Sequence, residues 1–424
     1  PSGEPGNPDM TSRYRELGVT QLRTHDYYGP LDMSTIYPDT SRDPADPASY
    51  DFEASDRYFQ AILDGGFEPY LRLGNSYNAP PPFPPPDRCP ESSAKWAAAV
   101  VEVVRHYNDA ALWGGSSLRC VEIWNEPDNR QFWDCDRSRF FELFERAALA
   151  LKAAFPQLQI GGPGLTPAGF LSPQGQAYTE AFLDHLRSRA VPLDFLSWHL
   201  YSNDPAEFAR ACAYFRQQLD ARGFPEASQH VTEWNTEVRD GTPASDALAL
   251  RAGAKGASLM TAAWIAMQEG GVEESCFYRG ADPALDVPSF YGLFYADGRP
   301  KKAALAFSLW ARLAAHPVRR GVAVPEDSPL SALAGTDDRG EIAVLVANAT
   351  EADASWSLEF ANGRLALRRY VVRAYGVGEA WDGVHTFSPS GLQAPIGAHS
   401  VHLVLLTPFP SAGSAPVPTE PSLE

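Results

Sequence analysis

Short apolar runs alternate with longer amphipathic stretches over most of this chain, and this alternation constrains the fold more than any other feature. Seven runs rich in β-branched or aromatic residues are predicted as strands. They are residues 21–25, 68–73, 120–124, 159–162, 195–199, 230–234 and 275–278. Helical patterns lie at residues 52–63, 93–108, 139–154, 178–189, 206–221, 246–269 and 301–315. Strands that alternate with helices are typical of βα units around a parallel sheet.

A helical pattern also precedes the first predicted strand, at residues 9–17, and Gly18 ends it. In a (β/α)8 barrel each helix follows a strand, so this helix implies a strand upstream of Pro1. We therefore expect an α/β fold with a (β/α)8 TIM barrel over residues 1–316. Its first strand is expected to be missing from the sequence or replaced by an unrecognised segment.

The pattern changes after Pro317 to short alternating runs separated by Gly, Asp and Asn turns. Strands are predicted at residues 341–347, 355–360, 367–372 and 400–406. These predict a small antiparallel, β-sandwich-like domain over residues 317–407. Residues 408–424 are rich in Pro and Ser and are expected to form a flexible tail.

The charge of the chain excludes one class of partner. Its 35 Lys and Arg residues face 53 Asp and Glu residues, a formal net charge of −18. Nucleic-acid binding needs a basic surface, so we expect no nucleic-acid partner. No apolar run approaches the roughly 20 residues that span a bilayer, so we expect no membrane insertion either.

Two predicted strands end in glutamates. One runs into Trp-Asn-Glu-Pro-Asp at residues 124–128, which contains Glu126, and another ends with Glu233 in Thr-Glu-Trp-Asn at residues 232–235. The carboxyl ends of barrel strands lie together at one rim, where active sites form. Two carboxylates at such a rim are what glycoside hydrolysis requires.

These two segments resemble clan A of the glycoside hydrolases, and most closely family 39, whose best-known members are β-xylosidases and α-L-iduronidases. The resemblance implies a retaining mechanism with Glu126 as the general acid/base and Glu233 as the nucleophile. It places them on the fourth and seventh strands of the barrel, which agrees with the strand count when one upstream strand is restored. Glu126 must then hold a proton while Glu233 stays ionised.

Further residues at strand ends are predicted to bind substrate. The resemblance implies that Asn125 bonds the sugar 2-hydroxyl, that His25 contacts substrate, and that Tyr201 donates to Glu233. For His25, Tyr201 and His199 the alternative is a satisfied core side chain. The predicted substrate-binding residues are Asn125, His25, His199, Tyr201, Trp133, Tyr278, Arg279 and Phe290.

Metal binding is not expected. The nine histidines show no closely spaced pair on a predicted barrel strand that could hold a catalytic metal. We therefore expect neither a metal nor another cofactor.

Two of the five cysteines follow neighbouring predicted strands. Cys89 and Cys135 lie in adjacent loops of the rim, so a disulfide could join them, with two unrelated thiols as the alternative. A disulfide would indicate maturation in an oxidising compartment, periplasmic or secreted.

The expected partner is a carbohydrate, and the expected activity is that of an exo-acting, β-xylosidase-like retaining hydrolase. The Pro-rich loop at residues 79–86 leaves open an endo-acting hydrolase of a microbial exopolysaccharide. An α-L-iduronidase-like activity would need a basic residue such as Arg279 for the uronate. A silent glycan-binding protein is a further alternative, which the presence of both Glu126 and Glu233 disfavours.

Overall fold

The computed structural model describes residues 8–24, 29–78, 81–115, 118–361, 370–378, 383–386 and 393–408. The chain divides into two compact units. One comprises Pro1–Gly241 and Ala266–Arg299, and the other comprises Thr242–Ile265 and Pro300–Glu424. The domain boundary predicted at residues 316 and 317 stays a prediction.

The first unit contains a parallel sheet with its strands in sequential order. The strands are β1 (Gln21–Arg23), β2 (Glu68–Leu73), β3 (Cys120–Ile123), β4 (Gln159–Leu165), β5 (Phe195–Tyr201), β6 (Ser228–Asn235) and β7 (Val272–Phe277). All seven predicted strands are confirmed. The upstream strand expected in addition lies outside the described residues.

Contacts across the sheet show that it curves into a nearly closed barrel. Gln21 on β1 donates a hydrogen bond to Glu274 on β7, the two outermost strands. Inside, the Tyr70 hydroxyl on β2 lies 2.8 Å from Nδ1 of His230 on β6. The predicted barrel fold is therefore confirmed.

The helices of this unit surround the strands. They are α1 (Thr11–Glu16), α2 (Met33–Ile36), α3 (Glu53–Asp64), α4 (Ser93–Tyr107), α5 (Arg137–Ala154), α6 (Ala168–Leu171), α7 (Pro173–Ser188) and α8 (Pro205–Ala221). Ser172 and Asp204 cap α7 and α8 through their side-chain oxygens, and each helix starts with proline. These are favourable residues at a helix start. Among the described helices, none is both long and apolar enough to cross a membrane.

The helix predicted over residues 246–269 is two helices, α9 (Ala244–Arg251) and α10 (Ala254–Glu269). The chain leaves helical geometry at Ala252, whose carbonyl oxygen instead accepts a hydrogen bond from the Lys302 amide at 3.1 Å. Gly253 follows, and glycine is a poor helix former. The apolar periodicity continues through this break, which is why the pattern alone predicts one helix.

The second unit contains a β-sandwich. Besides α9 and most of α10, this unit contains α11 (Lys302–Ala314) and the strands β8 (Val318–Arg320), β9 (Leu330–Thr336), β10 (Ile342–Asn348), β11 (Ala354–Ser357), β12 (Tyr370–Val377), β13 (Gly383–Thr386), β14 (Gln393–Ile396) and β15 (Ser400–Pro408). Six strands form one antiparallel sheet, and β11 pairs with β14 in another. Trp356 on β11 and Ile396 on β14 share a core with Val344 and Leu406 of the larger sheet. Of the tail predicted at residues 408–424, the part beyond Pro408 lies outside the described residues.

A disulfide joins two neighbouring loops at the carboxyl ends of the barrel strands. Cys89, between β2 and α4, is bonded to Cys135, between β3 and α5, with their Cα atoms 5.9 Å apart. The Arg139 side chain reinforces the contact by donating to the Pro90 carbonyl at 2.9 Å. The pairing that the sequence left open is confirmed.

We expect untreated, unfolded protein to show three free thiols per chain and reduced protein to show five, because Cys120, Cys212 and Cys276 are unpaired. The bridge closes a loop of 46 residues, so its loss should lower the free energy of unfolding by about 2 to 4 kcal/mol. Thiol titration and chemical denaturation measure the two quantities. Cys89→Ala, Cys135→Ala and the double variant should be about equally destabilised, since each removes the same bond. Five thiols before reduction would contradict the pairing.

Candidate active site

The chain turns sharply after β3 and presents the polar side chains of Asn125 and Glu126. Trp124 and Glu126 both have positive φ angles, 78° and 46°, which non-glycine residues rarely adopt. Hydrogen bonds hold both positions, from the Trp124 amide to the Leu73 carbonyl at 2.6 Å and from the Glu126 amide to the Gly164 carbonyl at 2.9 Å. Backbone conformations of this kind persist where the surroundings impose them, often at functional sites.

Glu126 and Glu233 meet at this rim. One oxygen of each carboxylate and one ring nitrogen of His199 all lie within 4.8 Å of one another. Glu233 stands on β6 and is 9 % exposed, while Glu126 follows β3 and His199 lies on β5. Three strands that are distant in sequence therefore bring two carboxylates face to face.

The Glu233 carboxylate is held from two sides. The Tyr201 hydroxyl on β5 donates to its Oε1, and Nη1 of Arg23 on β1 lies 3.6 Å from its Oε2. Burial raises the pKa of Glu233 above its ordinary value, and the neighbouring Glu126 adds to this. His199, Arg23 and Tyr201 act in the opposite direction. Burial also raises the pKa of Tyr201, so its phenol stays protonated as a donor.

Both oxygens of Glu126 have partners. Oε1 lies 2.9 Å from Nδ1 of His199, and Oε2 accepts a hydrogen bond from the Asn129 side chain at 3.1 Å. Asn129 belongs to the same loop, and sequence reasoning missed it. Nearby, burial raises the pKa of Asp128, which accepts hydrogen bonds from Thr166.

A buried ion pair lies beneath the two glutamates. Nε of Arg23 contacts Oε2 of the fully buried Glu122 at 2.7 Å. Burial opposes the charge on Glu122, but Arg23, His199 and the hydroxyls of Ser197 and Thr232 outweigh it, so the pKa of Glu122 is lowered. Glu122 is therefore an anion held by Arg23.

Arg23 also orients Asn125. Its Nη2 donates to the Asn125 side-chain oxygen at 2.7 Å. The amide nitrogen of Asn125 is buried and has no hydrogen-bond partner in the described part of the chain. A buried donor without a partner is costly, and a ligand hydroxyl would satisfy it.

Aromatic residues that follow β7 in the chain lie at the site near Glu233. Asn235 donates to the carbonyls of Tyr278 and Tyr291, and the Tyr291 ring lies 5.7 Å from Tyr201 and 5.4 Å from Tyr278. Burial, followed by the charge of Glu233, raises the pKa of Tyr278. Sequence reasoning placed Tyr278 here but did not use Asn235.

Arg279 and Phe290, both predicted to bind substrate, contact each other. The guanidinium lies 5.9 Å from the centre of the Phe290 ring. Burial lowers the pKa of Arg279 to about 10, against the pull of Asp282. Their contact with substrate stays a prediction.

The described contacts do not bring one other predicted binding residue, Trp133, to this cluster. Trp133 is 3 % exposed, packs edge-on against Trp124 and Phe140, and donates from its indole nitrogen to the Asp136 carbonyl at 3.2 Å. In this structure it is a packing residue. His25 lies outside the described residues.

Gly164 and Thr232 complete the site, and sequence reasoning missed both. A Cβ atom at Gly164 would lie 3.1 Å from His199 Nε2 and 3.3 Å from Glu122 Oε1, at a positive φ of 64°. The Thr232 hydroxyl contacts the same two side chains. The only signal was local: Glu122 is a polar residue in an otherwise apolar strand, and Thr232 is the neighbour of Glu233.

We assign no metal to the cluster of Glu126, His199 and Glu233. Although these side chains are close enough to share an ion, both ring nitrogens of His199 already have hydrogen-bond partners, Glu126 and Thr232. In the second unit His316, Asp337 and Glu341 are equally close, and His316 Nε2 pairs with Glu341 at 3.2 Å. The expected absence of metal and cofactor stays a prediction.

A barrel of parallel strands with two facing carboxylates at the strand ends defines the class of barrel proteins to which many glycoside hydrolases belong. A comparison with protein-family models matches residues 8–243, more than half of the chain, to glycosyl hydrolases family 39. The chain therefore belongs to glycosyl hydrolase family 39.

Individual relatives agree with this assignment. The chain is 26 % identical over 341 residues to a β-xylosidase of Geobacillus stearothermophilus, covering 70 % of this chain and 63 % of that protein. It is 26 % identical over 205 residues to a β-xylosidase of Caldicellulosiruptor saccharolyticus, covering 45 % and 38 %. The chain thus spans less than two thirds of the length of these relatives.

Solved structures share the fold. A glucosidase from Croceicoccus marinus superposes with a TM-score of 0.73 at 24 % identity, covering 95 % of this chain and 92 % of that one. A monomeric β-xylosidase from Caulobacter crescentus gives a TM-score of 0.69 at 18 % identity with the same coverage. At these identities the likeness shows the fold alone.

Proposed function

We propose that this protein is a retaining glycoside hydrolase of β-linked sugars, with Glu126 as the general acid/base and Glu233 as the nucleophile. The observation that carries the proposal is the approach of their carboxylate oxygens to within 4.8 Å. Retaining enzymes separate their carboxyl groups by roughly 5 to 5.5 Å, whereas inverting enzymes need about 6.5 to 9.5 Å to admit a water molecule. The separation here favours direct attack by one carboxylate.

The proposed chemistry follows from the placement of the two carboxylates. Glu233 attacks the anomeric carbon while Glu126 protonates the departing glycosidic oxygen, so one bond forms as the other breaks. Glu126, now ionised, then takes a proton from water, and the water oxygen displaces Glu233 from the sugar. Tyr201 and Arg23 contact Glu233 and stabilise the carboxylate before attack and after release.

Asn125 supplies a further contact with the sugar in this proposal. Its buried amide nitrogen has no partner in the described residues, and Arg23 fixes the amide from the oxygen side. A donor held in this way beside Glu126 suits the sugar 2-hydroxyl, where hydrogen bonds strengthen in the transition state.

For the substrate we propose exo-acting hydrolysis of β-xylosides. The two relatives that are 26 % identical to this chain are both β-xylosidases, which supports this choice of sugar. The rings of Tyr201, Tyr278 and Tyr291 pack against one another beside Glu233, which supports a confined site for a terminal sugar. An endo-acting enzyme would need an open path past these rings.

We expect the β-anomer of the free sugar to form first from a β-glycoside, because two displacements at the anomeric carbon restore its configuration. Proton NMR during hydrolysis measures the anomer before mutarotation. An initial α-anomer would contradict the nucleophilic role of Glu233 and indicate an inverting enzyme.

A panel of substrates identifies the sugar. We expect fast release from an aryl β-xyloside and slow release from the corresponding galactoside, glucoside and arabinoside. Cleavage of polymeric glycans without any aryl glycoside would indicate an endo-acting enzyme. Binding of glycans without hydrolysis of any of them would support a glycan-binding protein instead.

We also propose that the protein matures in an oxidising compartment, either the periplasm or outside the cell. The Cys89–Cys135 disulfide supports this, because such bonds persist mainly in oxidising environments. Fractionation of the native host with an antibody to the protein tests it.

A further inference from the structure

A chain of hydrogen bonds runs from the buried ion pair to the acid/base glutamate. Its members are Arg23, Glu122, Thr232, His199 and Glu126, contributed by β1, β3, β6, β5 and the turn after β3. The proposed mechanism above uses none of these contacts. The direction of each hydrogen bond can be worked out in turn from the chemistry of the groups.

The first direction is set by Glu122. This carboxylate is fully buried and contacts Nε of Arg23 at 2.7 Å through Oε2. An ionised carboxylate accepts hydrogen bonds and cannot donate them. The hydroxyl of Thr232, 2.7 Å from Oε1 of Glu122, must therefore donate its single hydrogen to Glu122.

The second direction follows from the first. With its hydrogen committed to Glu122, the Thr232 oxygen is able only to accept from Nε2 of His199, which lies 3.2 Å away. His199 must then carry hydrogen on Nε2. The ring is 1 % exposed, so water offers it little alternative partner.

The third direction concerns the acid itself. A neutral imidazole with hydrogen on Nε2 has a lone pair on Nδ1, which lies 2.9 Å from Oε1 of Glu126. When the ring is neutral, the hydrogen between these two atoms therefore belongs to the Glu126 carboxyl group. The opposite tautomer would donate from Nδ1 to an ionised Glu126, which has no proton to give.

We propose that Glu122 and Thr232 are positioning residues that fix the Nε2–H tautomer of His199 and thereby keep a proton on Glu126 for the leaving group. The inference rests on the proposed function of Glu126 as the acid/base. Glu122 and Thr232 do not touch substrate in this proposal. They act through His199.

Charged groups of the surrounding elements also act on this pair. Arg23 on β1, Glu122 on β3, Glu233 on β6 and Asp128 in the loop after β3 all lie around Glu126 and His199, and Tyr201 on β5 adds a neutral phenol. Substitution of Thr232 leaves all of these charges in place. Its effect on the pH profile therefore reports the hydrogen-bond chain rather than a change in charge.

The expected direction of the pH effect follows from the tautomer. In the wild type, loss of the shared proton would leave the Nδ1 lone pair facing an ionised carboxylate, with no hydrogen bond between them. In Thr232→Val the ring is free to carry hydrogen on Nδ1 and donate to ionised Glu126. We expect the alkaline limb of kcat/KM to move to lower pH by about one unit, the equivalent of one ordinary hydrogen bond.

Two further variants sharpen the test. Thr232→Ser keeps the hydroxyl and should restore the wild-type limb. Glu122→Gln should turn its amide oxygen toward Arg23 and its nitrogen toward Thr232, which reverses the chain and shifts the limb at least as far as Thr232→Val. Thr179→Val is the matched control. It also removes a buried hydroxyl, but this hydroxyl lies on α7, donates to the Gly169 carbonyl and does not belong to the chain of hydrogen bonds.

The pH profile is measured with a phenyl glycoside, which needs the acid, and with a dinitrophenyl glycoside, which does not. A shift in Thr232→Val that Thr232→Ser reverses supports the proposal. The proposal is overturned if the activity of the wild type on the phenyl glycoside depends on Glu126 and the alkaline limb is nevertheless unchanged in Thr232→Val. If Glu126→Gln has no effect on the phenyl glycoside, the proposed function fails instead.

A second measurement needs no substrate. Nitrogen NMR of protein labelled at histidine reads the tautomer of His199 directly, with His199→Asn to assign its signals among the nine histidines. We expect the Nε2–H tautomer in the wild type and the Nδ1–H tautomer in Glu122→Gln. The Nδ1–H tautomer in the wild type would overturn the inference whatever the enzyme hydrolyses.

Discussion

Glu233→Ala is expected to lower kcat for an aryl β-glycoside by roughly 10⁴- to 10⁶-fold, the cost of removing a nucleophile. The carboxylate lies within 4.8 Å of the Glu126 carboxylate, and Tyr201 and Arg23 hold it in place. No other carboxylate among the described residues shares this arrangement with Glu126 in the cluster at the rim. Steady-state kinetics on the preferred aryl glycoside measures the loss.

The variant also allows a chemical rescue. Azide is small enough to enter the space left by the Glu233 side chain and attack the anomeric carbon, so it should restore turnover of an activated glycoside. The product should be the α-glycosyl azide, because a single displacement inverts the configuration. A β-glycosyl azide would contradict the placement of the nucleophile.

The matched control for this variant is Glu237→Ala. Glu237 lies two residues beyond β6, and its carboxylate pairs with Arg239 at 2.7 Å. It belongs to the same segment and carries the same charge, but it is not part of the cluster at the rim. We expect its loss to leave kcat within about twofold, as for an exposed pair of small energetic value. A loss comparable to that of Glu233→Ala would contradict the assignment.

Glu126→Gln is expected to have the second largest effect, and the effect should depend on the leaving group. Gln keeps the shape of the side chain but has no proton to transfer, so kcat/KM for a phenyl glycoside should fall by about 10²- to 10⁴-fold. A dinitrophenyl group departs without protonation, so its kcat/KM should change little. Comparison of the two substrates measures the contribution of acid catalysis.

The second half of the reaction gives an independent readout. Without a base at position 126, water attacks the glycosyl-enzyme slowly, so the intermediate should accumulate with the dinitrophenyl substrate. A burst of dinitrophenol and a matching mass increase on the protein would show it. Glu142→Gln is a suitable control, because Glu142 pairs with Arg146 on the half-exposed face of α5. Equal losses on both substrates would contradict the acid role of Glu126.

The sequence predicted the barrel correctly because the signal is local. The inner strands of the parallel sheet are buried, so apolar runs such as residues 68–73 and 120–123 mark strands directly. The one helix predicted wrongly, over residues 246–269, failed for a long-range reason. Lys302 takes the carbonyl of Ala252, and nothing near residue 252 shows that partner in the sequence.

Glu126 and Glu233 could likewise be found from the sequence. Glu126 follows an apolar strand and Glu233 lies near the end of another strand, each within a short polar motif. Residue type and neighbours are therefore sufficient to predict both at the same rim of a barrel. Cys89 and Cys135 were likewise predicted in neighbouring loops, but the sequence left open whether they form a disulfide or are two unrelated thiols. Whether they bond depends on a Cα separation, 5.9 Å, that the loops set in three dimensions.

The sequence by itself determined where the strands run, which carboxylates stand at their ends and which family the motifs resemble, since each depends on residues close together in the chain. The tertiary structure decided what these carboxylates contact. Thr232 reaches Glu122 across 110 residues, and His199 reaches Glu126 across 73. Whether such partners form a hydrogen bond depends on a few tenths of an ångström in the distance between them. Only the packing of the whole barrel sets that geometry.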